Sequence, residues 1–304
     1  MDRKTVKLLS LLLAVLLTAG SFAACTQSSE PAEEPQTETQ EEPSETSDQI
    51  ASEDEKIARE DVVEEGMIPV TAADIKDGVY EVQVDSSSGM FVVTGCTLTV
   101  ENGSMTADIT LSGDGYRYLY LGTPEEAASA PESDYLMPQI DEYGVHHYTF
   151  AVDALDQGID CAAFSDKKEK WYDRILVFRA SSLSLSDFRD GFIKTASTLG
   201  LADGDYTCEV SLSGGSGKAS VASPANLTVR GGRVTAEIIW SSDKYDYMVV
   251  NGAHYDPIST ENGSTFLIPV DAFDFSLTVI ADTIAMSTPH EIEYTLNFDS
   301  STIQ

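Results

Sequence analysis

A chain of 304 residues with 51 acidic against 18 basic side chains carries a formal charge of -33. That balance argues against a nucleic-acid partner, because a phosphate-binding surface needs clustered Lys and Arg, and it disfavours direct contact with anionic lipid headgroups. Four cysteines and four histidines leave little material for a disulfide framework or a hydrolytic triad.

The first residues read as an export signal. Asp2-Arg3-Lys4 and Lys7 form a short basic region, and Leu8 to Leu17 is apolar apart from Ser10. Small residues follow, up to Ala23-Ala24-Cys25. The apolar run is too short for a permanent span, so 1–24 is expected to be a signal peptide. Ala23-Ala24-Cys25 resembles a bacterial lipobox, with Phe22 where Leu is usual, and so implies lipidation at Cys25 after cleavage. Acyl chains, at about 0.8 kcal/mol per buried methylene, would hold the protein on the extracellular face of the cell membrane.

Residues 25–66 are built from Glu, Ser, Thr, Gln, Pro and Asp, and hold a large part of the negative charge. Such a segment buries too little apolar surface to offset its conformational entropy, so a disordered acidic linker is expected. Within it, residues 54–65 (DEKIAREDVVEE) read as a marginal helix.

The remainder contains a repeat. Asp77-Gly78-Val79-Tyr80 opens one copy and Asp203-Gly204-Asp205-Tyr206 the other. Leu98-Thr99-Val100-Glu101-Asn102-Gly103 matches Leu227-Thr228-Val229-Arg230-Gly231-Gly232, each an alternating strand meeting a tight turn. Tyr116-Arg117-Tyr118 then matches Tyr245-Asp246-Tyr247, and Val152-Asp153-Ala154-Leu155-Asp156 matches Val270-Asp271-Ala272-Phe273-Asp274. Final strands run over 174–178 and 294–298. Period-two alternation with turn signals every 8–12 residues predicts an all-β chain of two tandem antiparallel immunoglobulin-like β-sandwiches, at 70–180 and 202–304. No amphipathic helix is expected inside either copy. The linker 181–201 allows a short helix over 186–197, capped by Ser186.

These landmarks resemble the NEAT domain, the iron-transport-associated sandwich of Gram-positive surface proteins. The shared features are the opening Asp-Gly-x-Tyr, the central hairpin, the late Val-Asp-Ala-Leu/Phe-Asp segment and a last strand ending in Phe. The resemblance implies binding of haem or another iron complex for uptake by a membrane transporter. Haem-binding NEAT domains use Tyr-x-x-x-Tyr on the last hairpin and a short helix after the first strand. Here His290 stands where the first Tyr of that pair is expected and Tyr294 where the second is. The first copy has Lys170-Trp171-Tyr172-Asp173-Arg174 instead. Ser213-Gly214-Gly215-Ser216-Gly217 and Ser86-Ser87-Ser88-Gly89 replace the helix.

The candidate ligand-binding residues are therefore Met286, His290, Tyr294, Tyr245, Tyr247, Trp171 and Tyr172, with His290 the candidate metal ligand. His290 and Tyr294 share a strand face about 13 Å apart. The alternative for that region is an exposed hairpin loop at Met286 and His290, with Tyr294 in the core. Alternation puts Tyr116, Tyr118 and Tyr120 on one face, and Tyr245 and Tyr247 on one face. Turned outward, those rows make a cofactor-free surface for protein or glycan; turned inward, they are core. Trp171 to Arg174, after the charged run 166–170, reads as a basic hairpin tip suited to a carboxylate. His146-His147 reads as a loop before a strand. Cys208 alternates into the core, and Cys96 with Cys161 leaves a disulfide open. No Cys-x-x-Cys, His-Glu-x-x-His, Gly-x-Ser-x-Gly or phosphate loop occurs, so a non-enzymatic protein is expected.

Overall fold

In residues 104–111, Met105, Ala107, Ile109 and Leu111 are buried, while Ser104 and Thr106 are exposed. That period of two recurs through a computed structural model that describes residues 49–304 apart from Ile57, Glu65, Met286 and Ser287. The expected signal peptide at 1–24, Cys25 and Met286 lie outside the described residues.

The first sandwich is built from β1 (Val70–Thr71), β2 (Gly78–Glu81), β3 (Val84–Ser86), β4 (Val93–Glu101), β5 (Ser104–Leu111) and β6 (Tyr116–Leu121). It continues through helix α1 (Pro124–Ser129), β7 (Gln139–Ile140), β8 (His146–Val152), β9 (Ala154–Leu155), β10 (Ile159–Ser165) and β11 (Lys170–Phe178). One antiparallel sheet has the order β2-β4-β5-β8-β7 and the other β3-β11-β10-β6. Leu98, Ile109 and Tyr148 from the first meet Leu119, Cys161, Leu176 and Phe178 from the second in one core.

The second sandwich has β12 (Gly204–Cys208), β13 (Val210–Gly214), β14 (Ala225–Arg230), β15 (Arg233–Ile239) and β16 (Tyr245–Val250). β17 (Ala253–Tyr255), β18 (Thr265–Val270), β19 (Leu277–Thr283) and β20 (His290–Phe298) complete it. Its sheets are β12-β14-β15-β18 and β13-β20-β19-β16-β17, around Leu227, Trp240, Phe266, Tyr294 and Phe298. The chain is thus all-β in two antiparallel immunoglobulin-like sandwiches. The Asn102-Gly103 and Gly231-Gly232 turns have positive φ at both central residues, the backbone that matches strand twist in a two-residue hairpin.

Five expectations are corrected. Residues 49–64 do not behave as a free linker along their whole length: Ala51 and Val62 are buried, and Ile50 bridges to Trp171. In place of the marginal helix the described residues hold a 3-10 turn at Glu53–Glu55. Residues 186–197 hold no α-helix. Ser184, not Ser186, caps a 3-10 turn at Leu185–Asp187; Phe188 then pairs with Ile75 and Gly191 turns the chain at positive φ. The first sandwich contains α1, six residues too short to show periodicity, with Thr123 as N-cap in a capping box with Glu126 and Pro124 at its first turn. Finally, His146 and His147 begin β8 rather than lying in a loop before it.

Candidate functional site

A β-bulge at the same place in each sandwich decides where the tyrosines point. Pairing slips between β6 and β10 at Tyr116, and between β16 and β19 at Tyr245–Tyr247, leaving Arg117 and Asp246 as extra residues. An extra residue on one strand re-aims the side chains before it. Tyr116 and Tyr245 therefore turn into their cores, whereas Tyr118, Tyr120 and Tyr247 face outward. The expectation of one common face for Tyr116, Tyr118 and Tyr120, and for Tyr245 and Tyr247, is corrected on this ground.

In the second sandwich, Tyr294 is 3% exposed and its hydroxyl lies 2.9 Å from that of Tyr245. The Trp240 ring sits 4.2 Å from the Tyr245 ring and 5.0 Å from the Tyr294 ring. Burial, with the Tyr294 bond, holds the Tyr245 phenol well above its ordinary value. His290 opens β20 and is exposed, so the structure does not bring it together with Tyr294 in one pocket. The phenol an iron centre would need is committed to Tyr245, and the Trp240 and Tyr245 rings pack against it, so Tyr294 does not fit an iron ligand in this arrangement. The core alternative is the one observed for Tyr294.

Tyr247 stands on the opposite face of that sheet. Its hydroxyl donates to Glu291 at 2.7 Å, its ring stacks on His254 at 4.6 Å, and the Glu291 bond pushes the phenol up to about 12. Asp282, beside them, is 3% exposed with its Oδ2 unpartnered. Burial first, then the facing Asp246 carboxyl, pushes Asp282 up.

The first sandwich holds the denser aromatic site. On the outer face of its β3-β11-β10-β6 sheet, Tyr118 packs at 5.5 Å from Phe164 and 5.3 Å from Tyr135. Tyr135 lies edge-on to Trp171 at 4.9 Å and to Tyr120 at 6.4 Å. Trp171, 1% exposed, is the floor, and Ala127 of α1 closes one side. Tyr118, Tyr120 and Tyr135 remain half-buried above it. The Arg117 guanidinium sits 5.8 Å from the Tyr118 ring and 5.6 Å from Phe164, while it pairs with Asp166. Offset and edge-on rings at these spacings are mutually attractive. Sequence reasoning missed Phe164 and Tyr135; the one available signal was the Thr123-Pro124-Glu125-Glu126 helix start nine residues before Tyr135.

The basic tip expected at 170–174 is corrected too. Lys170 bonds Glu55 at 2.7 Å. Arg174 is turned inward, its guanidinium 5.3 Å from the Tyr172 ring, with Nη2 3.5 Å from the Tyr116 hydroxyl. Tyr172, 9% exposed, lies inside with it, opposite Ala163. Cys96, Cys161 and Cys208 are free, buried thiols; burial pushes Cys96 and Cys161 up to about 12, which keeps them protonated and unreactive.

No protein-family model and no curated protein sequence matches the chain. Among solved structures, the NEAT5 domain of IsdX2, a B. anthracis hemophore in complex with haem, is 18% identical. That match covers 33% of this chain and 99% of the domain, with a TM-score of 0.29. A mutant of IsdX2 NEAT5, also with haem, is 19% identical over 34% of this chain and 99% of its own, again at 0.29. A likeness of this size bears on neither ligand nor site.

Proposed function

We propose that this is an exported protein, lipid-anchored at Cys25 on the outer face of the membrane, that binds its ligand without transforming it. It holds a partner protein or a glycan on the aromatic face of its first sandwich. The observation that carries this reading is the outward cluster of Tyr118, Tyr120 and Tyr135 above Phe164 and Trp171, edged by Arg117. Amphipathic rings already ordered by their neighbours bury area at small entropic cost, and their hydroxyls supply directional contacts. The acidic tether carries the sandwiches away from the lipid.

A second reading, capture of haem or a related metal complex for a membrane transporter, draws on the NEAT-like sequence landmarks and on His290, exposed at the start of the last strand. One experiment separates the two. The full chain is screened by biolayer interferometry against extracellular proteins and oligosaccharides, beside the Tyr118→Ser, Tyr120→Ser double variant, and haemin is titrated in parallel. The first reading expects a ligand whose affinity falls roughly tenfold in the double variant, as for loss of central aromatic contacts, and a featureless haemin titration. A Soret shift saturating at one equivalent and weakened by His290→Ala would overturn it in favour of metal-complex capture.

A further inference from the structure

The last strands of the two sandwiches differ in what lies along their edge. In the first, β3 covers β11 only at Leu176–Phe178. Farther along, the chain's own N-terminal segment closes the edge. Ile50 forms a parallel bridge with Trp171, and the Ala51 amide donates to the Trp171 carbonyl at 3.0 Å. Lys56 and Arg59 of the same segment then pair with Asp173.

In the second sandwich, β13 covers β20 over Tyr294–Phe298. His290–Glu293 pair with β19 on one side, and among the described residues no strand lies on the other. Phe178 pairs with Val84 and Phe298 with Val210, the first residues of the neighbouring strands. That register sets Glu291 at the place of Trp171 and Glu293 at the place of Asp173. A Cβ on Gly214 would stand 3.0 Å from the Glu293 carbonyl oxygen, so this oxygen points to the β13 side with Gly214 as its neighbour, and the main-chain groups of Glu291, two residues earlier, point to the same side beyond the end of β13. Glu293 is exposed and, among the described residues, has no ion pair. The second sandwich keeps the acid but lacks the cationic segment that meets it in the first.

We propose that the open edge of β20 at His290–Glu293 binds an extended, lysine- or arginine-bearing peptide segment of another protein, added as a parallel strand. Unpaired main-chain groups on a strand edge are a template for such addition, and alternate side chains of the incoming strand set the specificity. The charge around the edge selects a cation. Glu291 and the Asp246–Asp282 pair lie on the outer sheet face, and Glu60 lines the 330 Å³ cleft beside Glu293, in which Glu64 is already paired with Arg179. The site is separate from the aromatic face of the first sandwich and does not depend on it.

The test is fluorescence anisotropy of the full chain with a fluorescein-labelled octapeptide of alternating valine and lysine. Its alternately N-methylated form and a valine–glutamate octapeptide serve as controls. Expected are saturable binding of the valine–lysine peptide alone, and roughly tenfold weaker binding after Glu293→Lys, which reverses the edge charge. Glu291→Pro removes an edge donor and is tolerated on an open edge, so it should weaken binding comparably while far-UV circular dichroism is unchanged. Should Glu291→Pro fail to fold, Glu293→Lys decides alone. No saturable binding, equal binding of either control peptide, or a wild-type affinity in Glu293→Lys would overturn the proposal.

Discussion

Asp156 and Asp274 occupy matching places and titrate in opposite directions. Both have φ of 51° and both cap a following segment through a backbone amide, Ala180 at 2.9 Å and Ser300 at 2.6 Å. Asp156 is 4% exposed, and burial pushes its carboxyl up to about 6 despite the Ala180 bond and the nearby Arg179. Asp274 is also raised by burial, but bonds from Lys194 and Ser300 outweigh this and hold it below the usual carboxylate range. A raised folded value means that the stability Asp156 contributes is complete below roughly pH 4, the unfolded carboxyl's range, and is lost as pH rises through about 6. A lowered one means that Asp274 contributes above the unfolded value and loses its contribution as pH falls through its folded one. Asp156→Asn, which suits a left-handed backbone, is therefore expected to raise stability at pH 7 by about 1–3 kcal/mol and to change little at pH 4. Asp274→Asn should lower stability at pH 7. Urea unfolding at the two pH values checks both; a pH-independent difference for Asp156→Asn would refute the assignment.

At the scale of elements, what the sequence revealed was what repeats with period two. The alternation in β4, β5, β14 and β15 and the Asn102-Gly103 and Gly231-Gly232 turns were legible because local sterics alone dictate them. The bulges at Arg117 and Asp246 were not, since a bulge is a property of two strands and leaves no mark in one. That slip, invisible to alternation, is why period two alone places Tyr245 and Tyr247 on one face. Helix α1 was hidden because six residues show no period, although Thr123, Pro124 and Glu126 carry its start signals. The approach of the 259–264 loop to Trp240 was equally silent. Gly263 has φ of +111°, and a Cβ there would lie 2.0 Å from the Trp240 carbonyl oxygen. Gly263→Ala must therefore strain the backbone and displace the chain that packs Trp240 beside Tyr245. A loss well above about 1 kcal/mol is expected, measured as a fall in thermal midpoint with changed near-UV dichroism from the displaced indole. An alanine variant with the wild-type midpoint would mean that this close approach does not exist.

Across the whole molecule, the described residues join the two sandwiches at two contacts of different chemistry. One is aromatic: Phe188 stacks on Phe192 at 5.3 Å and meets Phe275 of the second sandwich edge-on at 5.2 Å, while the Phe273 amide donates to the Lys194 carbonyl. The other is polar. Glu64 accepts from Arg179 of the first sandwich at 3.2 Å and from Ser213 of the second at 2.8 Å, and Asn297 donates to the Gly66 carbonyl at 2.9 Å. The polar contact runs through a segment whose composition alone reads as unfolded, because its few apolar side chains gain partners only once the first sandwich exists. Of the two, the aromatic contact should dominate cooperativity, since Phe188 is 3% exposed and belongs to the first core. Truncating such a ring costs about 3–5 kcal/mol, whereas partly exposed polar bonds are worth about 1 kcal/mol each. With both contacts intact, scanning calorimetry of the wild type should show one transition. Phe188→Ala is expected to divide it into two, the lower belonging to the first sandwich, which loses core, and the upper to the second, which loses only its neighbour. Glu64→Gln should lower the single midpoint slightly without dividing it. If Phe188→Ala still unfolds in one transition while Glu64→Gln gives two, the polar segment is what couples the sandwiches, and residues 49–66 serve as a strap between them rather than as the end of a tether.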